Sequence, residues 1–163
     1  MFKKISMVCL ALSVMLAASA VAVGPAELTV YGGPTVSNYS GGYDLGASAM
    51  VNLPMIPKVG VEVERSALVG NVNITRLGLA YEQTLIPFLT SFKLSAGSSS
   101  LSYSGSVSVG SQTYTGSGTE NGSYVAAGLV VKVFSLVVNP KFVYNQYGGV
   151  SVSEGIVNVG MTF

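Results

Sequence analysis

From residue 27 onward, apolar residues alternate with small or polar ones at every second position, and almost all charges fall on one side of that alternation. One face collects Leu28, Val30, Leu45, Ala47, Ala49, Val51, Val59, Val61, Val63, Leu77, Leu79 and Tyr81. It continues with Leu129, Val131, Val133, Val138, Phe142, Tyr144 and then Val157, Val159, Met161 and Phe163. The opposite face carries Glu27, Asp44, Lys58, Glu62, Glu64, Arg76, Glu82, Lys93, Lys132, Lys141 and Glu154. Only Arg65 and Glu120 stand apart among the later charges, at or in expected loops. Period two is the signature of strands, whose successive side chains point to opposite faces. A whole face without charge is what hydrocarbon demands of a sheet.

Turn signals divide this pattern into strands. Hairpins centred on Gly41-Gly42, Met55, Gly70, Ile86-Pro87, Gly110-Ser111, Phe134-Ser135 and Gly148-Gly149 keep the apolar face on one side throughout. A one-residue slip at any junction would turn the rest of the chain inside out. The expected ladders set Val36 against Ala47, Val30 against Leu53, Ala49 against Val61 and Val61 against Leu79. They also set Tyr81 against Phe92, Val138 against Val159 and Leu136 against Met161. The result is an all-β chain of eight antiparallel strands. In lipid such a sheet has to close so that no edge N–H or C=O is left unpaired, giving an up-and-down transmembrane β-barrel. A soluble lipocalin-like barrel also alternates. It would place the charged face outside, and its surface would carry far more charge than the 9% found here.

The first residues follow a different logic. Lys3 and Lys4 precede the apolar stretch from Ile5 to Ala18, and Ala18-Ser19-Ala20 forms a small-x-small cleavage site. Residues 1–20 are therefore expected to be a secretory signal peptide, with an alternative end at residue 22, and residues 21–163 the barrel domain. The single cysteine, Cys9, lies inside the leader, so the mature chain has neither disulfide nor thiol chemistry. Aromatic residues mark the expected rims, with Tyr43 and Tyr144 at one and Tyr81, Phe92 and Phe163 at the other.

A leader, eight alternating strands and the ending "VNVGMTF" together resemble a small bacterial outer-membrane β-barrel of the OmpA/OmpX type. The resemblance implies location in the outer membrane and handling by the barrel-assembly machinery. In that family the assembly signal is a last strand of alternating apolar residues with a terminal aromatic. Val157, Val159, Met161 and Phe163 match it, while Asn158 stands where the family often has glycine.

An eight-stranded barrel is only wide enough inside to be filled by side chains. The expected register sets Glu64 against Arg76 and Lys58 against Glu82, with Glu62, Lys93, Lys132 and Lys141 extending the set. Two uses are open to these residues: a salt-bridged plug or a narrow polar pathway for ions. Enzyme chemistry is not expected. The lipid-modifying barrels rely on a histidine base, and this chain has none. The scattered carboxylates make a poor metal site, and no cofactor is implied. Net charge is close to zero with no basic run, which speaks against nucleic acid.

Binding function belongs to the loops. With both termini in the periplasm, the turns at Gly41, Gly70, Gly110 and Gly148 face outward. The longest excursion, residues 104–122, pairs Val107 with Tyr114 and Val109 with Gln112, so that strands five and six continue past the bilayer as a hairpin. Its open edge would accept a strand from an extracellular protein or host surface; the alternative is a flexible Ser/Gly loop. The expected protein is a monomer with a structural or adhesive role.

Overall fold

Each strand pairs with its neighbours in chain order and the last returns to the first, so the sheet closes on itself. The computed structural model describes residues 26–52, 57–87, 89–109 and 112–163. Its strands are β1 (Ala26–Ser37), β2 (Gly41–Val51), β3 (Lys58–Leu68), β4 (Val72–Ile86), β5 (Thr90–Val109), β6 (Gln112–Val133), β7 (Leu136–Tyr147) and β8 (Val150–Thr162). All pairings are antiparallel, and the expected eight-stranded up-and-down barrel is what forms. The leader and the turn residues Met55, Gly110 and Ser111 lie outside the described residues.

Closure reaches the last residue. Phe163 donates its N–H to the Leu28 carbonyl at 2.8 Å and accepts from the Leu28 N–H at 3.2 Å. Above them Val30 pairs with Met161 and Gly32 with Val159. No backbone edge is left along this seam, which is what closure achieves for a sheet. We call the end carrying Ala26 and Phe163 proximal and the opposite end distal.

The alternation reads directly onto the wall. Leu45, Val61, Val63, Leu77, Leu79, Val125, Leu129, Phe142, Val157 and Val159 are exposed on the outside. Asp44, Glu62, Glu64, Arg76, Glu82, Lys93, Lys141 and Glu154 are buried inside.

Two hairpins differ in register from the sequence expectation. Val30 pairs with Ala47 and Val36 with Gly41, so Gly41-Gly42 belongs to β2 and does not form the turn. Ser37 builds that turn instead. Its hydroxyl accepts from the Tyr39 and Ser40 N–H groups and donates to the Ser40 carbonyl, an alternative to glycine as turn former. Tyr81 meets Leu94, and Phe92 moves to Gln83, because the β4–β5 connection is longer than a two-residue turn and the register shifts between Thr84 and Ile86. Both displacements are even, so no side chain changes face. Arg65 and Glu120 also differ from expectation: both lie within strands, β3 and β6, not in loops.

β5 and β6 are the longest strands and rise beyond the rest of the wall. β4 pairs with β5 only as far as Tyr103, and β7 pairs with β6 only from Gly122. Gly105 and Gly116 face each other in this extension, with φ of 95° and 100°. Side-chain-bearing residues rarely adopt that conformation, so the paired glycines permit a change of backbone direction on both strands at the same rung.

Candidate functional site

The lumen is filled in layers. At the proximal mouth Glu27, Lys58, Glu82 and Lys132 form a ring of alternating charge. Lys58 Nζ lies 2.7 Å from Glu27 Oε2 and 3.6 Å from Glu82 Oε1. Lys132 Nζ reaches Glu82 Oε1 at 3.2 Å and also pairs with Glu27. Each lysine thus touches both glutamates. Beyond the ring, a void of about 10 Å³ among Tyr31, Glu82, Lys93, Lys132 and Asn139 has room for about one water molecule.

Arg76 is the hub of the next layer and is completely buried. Its Nε donates to Asn145 Oδ1 at 3.0 Å, and Nη1 donates to Ser66 Oγ at 3.0 Å. Nη1 also lies 3.5 Å from both Asp44 and Glu64, while Nη2 pairs with Glu154. Ser66 and Asn158 donate to the two Asp44 oxygens, each at 2.8 Å. A guanidinium can serve this many partners because its donors fan out in a rigid plane.

Tyr31 joins Arg76 to the lysines. Its hydroxyl donates to Glu64 Oε1 at 2.7 Å, and its ring lies 5.6 Å from Lys93 Nζ and 5.3 Å from Lys141 Nζ. These are cation–π distances. Lys141 pairs with Glu64 and Lys93 with Glu62, which also accepts from Ser95 Oγ at 2.9 Å. Space for the Tyr31 ring comes from Gly46, where a Cβ would stand 2.5 Å from it.

The distal lumen is apolar. Leu68, Val72, Ile74, Leu101, Tyr147, Val150 and Val152 form one buried cluster, with Tyr39 and Tyr103 packed against it. Ile74 and Leu101 have no exposed surface at all.

The structure therefore brings Lys58, Glu82 and Lys132 together at the mouth, and Glu62, Glu64, Arg76, Lys93 and Lys141 farther in. Glu27, Asp44 and Glu154 fall on the inner face of the sequence pattern but outside the expected network, and the structure adds them to it together with Tyr31, Asn145 and Asn158. Arg76 meets Glu154 across the lumen, a contact that no strand pairing reveals. Asp44 was hidden by the β1–β2 register, although its partner Ser66 on β3 was within reach of the pattern. In the distal hairpin, Val107 pairs with Tyr114 and Val109 with Gln112. Outside, Val157, Val159, Met161 and Phe163 line one exposed row of the closing seam.

No family model matches the chain, and no curated protein matches it. Solved structures do. The N-terminal β-barrel domain of Pseudomonas aeruginosa OprF is 14% identical with a TM-score of 0.59, covering 85% of this chain and 96% of that one. Neisserial surface protein A is 15% identical with a TM-score of 0.56, covering 86% and 98%. The Yersinia pestis outer membrane protein Ail in a phospholipid bilayer nanodisc is 13% identical with a TM-score of 0.55, covering 86% and 99%. The fold is that of the small eight-stranded barrels of the OmpA/OmpX type.

Proposed function

We propose that this chain is an integral outer-membrane β-barrel with a closed, salt-bridged lumen, acting as a structural and surface-interacting component of a bacterial envelope. One observation carries the reading: the outer wall exposes Leu45, Val61, Val63, Leu77, Leu79, Leu129, Phe142 and Val157 side by side while the charges are turned inward. Soluble proteins rarely expose contiguous apolar patches above a few hundred Å². A bilayer requires such a wall, together with a closed sheet. Two of the named neighbours are a surface protein and an outer membrane protein in a bilayer nanodisc, and this supports the same location.

On this reading residues 1–20 are removed after export, both termini face the periplasm, and the barrel-assembly machinery engages Val157, Val159, Met161 and Phe163. The distal hairpin stands outside the cell. Its Ser104–Val109 backbone pairs with Gln112–Ser117, and among the described residues β4 reaches β5 only as far as Tyr103 and β7 reaches β6 only from Gly122. These edges, at the level of Val107, Val109, Gln112 and Tyr114, are available to an extended segment of a partner protein. The barrel acts as a monomer and carries no enzyme chemistry.

A narrow ion pathway is the weaker reading, because the Ile74–Leu101–Tyr147 layer fills the distal lumen with apolar side chains. Fractionation and detergent gels test the location. The protein belongs in the outer-membrane fraction and should migrate faster unheated than heated; a soluble periplasmic product would overturn the proposal. Planar-bilayer recordings of the purified barrel should be silent. A steady conductance abolished by Arg76→Ala would replace the plug with a pore.

A further inference from the structure

Across β3 to β7 the outer wall changes chemistry abruptly from one rung to the next. One rung holds Val61, Leu79, Ala96, Val125 and Tyr144, all apolar or aromatic. The next distal rung holds Val63, Leu77, Ser98, Ser123 and Gln146. The one after holds Arg65, Thr75, Ser100 and Asn121, followed by Ala67, Asn73, Ser102 and Thr119, and then Ser104 with Ser117. Ser98, Ser104, Ser117, Thr119, Asn121 and Ser123 are exposed, and so is Arg65.

Charge sharpens the picture. Arg65 is the outward-facing cation of this wall, and its Nη2 donates to Asn73 Oδ1 at 3.3 Å. No carboxylate shares its face among the described residues. The other acids point into the lumen, and Glu120 lies on the inner face with its partner Leu101. A guanidinium set among neutral hydroxyls and amides, just beyond a hydrocarbon wall, matches a phosphate attached to a sugar.

Height separates a glycolipid from an ordinary phospholipid. From Ser98 to Ser104 the polar face runs about 20 Å along the strand at about 3.3 Å per residue, a rise of about 15 Å for a strand tilted by about 35–45°. A phospholipid headgroup layer is only about 5–8 Å thick on each side. The hydroxyl face outreaches such a layer, whereas a saccharide of several units would span it.

We infer that the Arg65, Asn73, Thr75, Ser100, Ser102 and Thr119 surface docks the phosphorylated saccharide of an outer-leaflet glycolipid, with phosphate on Arg65 and sugar hydroxyls on the ladder. This inference rests on the outer-membrane reading above. The test uses the full barrel purified in detergent, with purified lipopolysaccharide, its dephosphorylated form and phosphatidylglycerol as probes, and native mass spectrometry as readout. Lipopolysaccharide should bind, and Arg65→Gln should weaken it about tenfold, as expected for loss of one charge-assisted contact. Dephosphorylation should weaken wild-type binding to a similar degree, and Arg65→Gln should then have little further effect. Combined Ser100→Ala, Ser102→Ala and Thr119→Ala should reduce lipopolysaccharide binding and leave phosphatidylglycerol unaffected. Equal binding by wild type and Arg65→Gln, or equal competition by phosphatidylglycerol, would overturn the inference. Heat-modifiable migration of every variant keeps the two proposals apart: a wild-type chain that never forms a membrane barrel defeats the earlier reading instead.

Discussion

Asn139 donates its side-chain amide to the Leu129 carbonyl at 2.7 Å, at the rung where Pro140 has no N–H to offer. Gly128 pairs with Lys141 and Val131 with Val138, so Leu129 stands across from Pro140. Proline inside a strand removes a ladder hydrogen bond and is normally confined to edges and bulges. A closed barrel has no edge, and Asn139 supplies the missing donor from the lumen side. Asn139→Ala should destabilise the barrel by about 1–3 kcal/mol, the cost of an unsatisfied buried carbonyl. In a Pro140→Ala background the ladder N–H returns, and the same substitution should cost much less. Urea unfolding of the two single variants and the double variant measures the coupling; additive losses would show that the amide does not stand in for the proline.

The network around Arg76 predicts an asymmetry between acids and bases. Asp44, Glu62, Glu64 and Glu154 share their layer with Arg76, Lys93 and Lys141, so carboxylates exceed cations by one. Removing the hub leaves several buried carboxylates short of a partner, at a cost of about 3–5 kcal/mol for a broken buried pair. Asp44→Asn brings the layer's carboxylates and cations into balance, and should cost distinctly less. Arg76→Gln and Asp44→Asn are compared by unfolding midpoint in the same detergent. Equal losses would mean that the layer is not short of positive charge.

How much of this was legible in the sequence depends on what each feature turns on. Strand faces depend on parity alone, and parity carried Glu64 opposite Arg76 and Val138 opposite Val159. Parity is blind to even displacements, so it accepted Gly41-Gly42 as a turn although the Ser37 hydroxyl makes one just before it. The lumen contacts were harder still. Arg76 and Glu154 lie on β4 and β8 and meet only because the sheet closes. The distal cap was missed for a different reason. Ile74 and Leu101 occupy the inner face, where the charges elsewhere suggested a polar interior throughout.

Gly46 offers a test of the Tyr31 seat. A Cβ there would lie 2.5 Å from the ring that holds Glu64 and faces both lysines. Gly46→Ala should cost about 1–3 kcal/mol through overpacking. Combining it with Tyr31→Leu should recover part of that loss, because the ring is the obstruction. Failure of the second substitution to relieve the first would place the strain elsewhere.

Phe134 forms the proximal β6–β7 turn with φ of 57°, in the left-handed region, and its side chain is 99% exposed. For an L-residue with a Cβ this conformation costs about 1–2 kcal/mol, and asparagine tolerates it far better. So exposed a ring contributes little packing to the barrel, and relief of the backbone should dominate where no bilayer is present. In detergent, Phe134→Asn should therefore raise stability by about 1 kcal/mol. Phe134→Gly relieves the same strain but gains freedom in the unfolded chain, so it should gain less. In lipid bilayers the ring acquires a second role, since aromatic residues favour the headgroup level. The advantage of Phe134→Asn should shrink there or reverse. Unfolding curves for the three proteins in micelles and in vesicles decide the matter: Phe134 being the most stable in both would show that the ring's contacts outweigh the backbone strain even without a membrane.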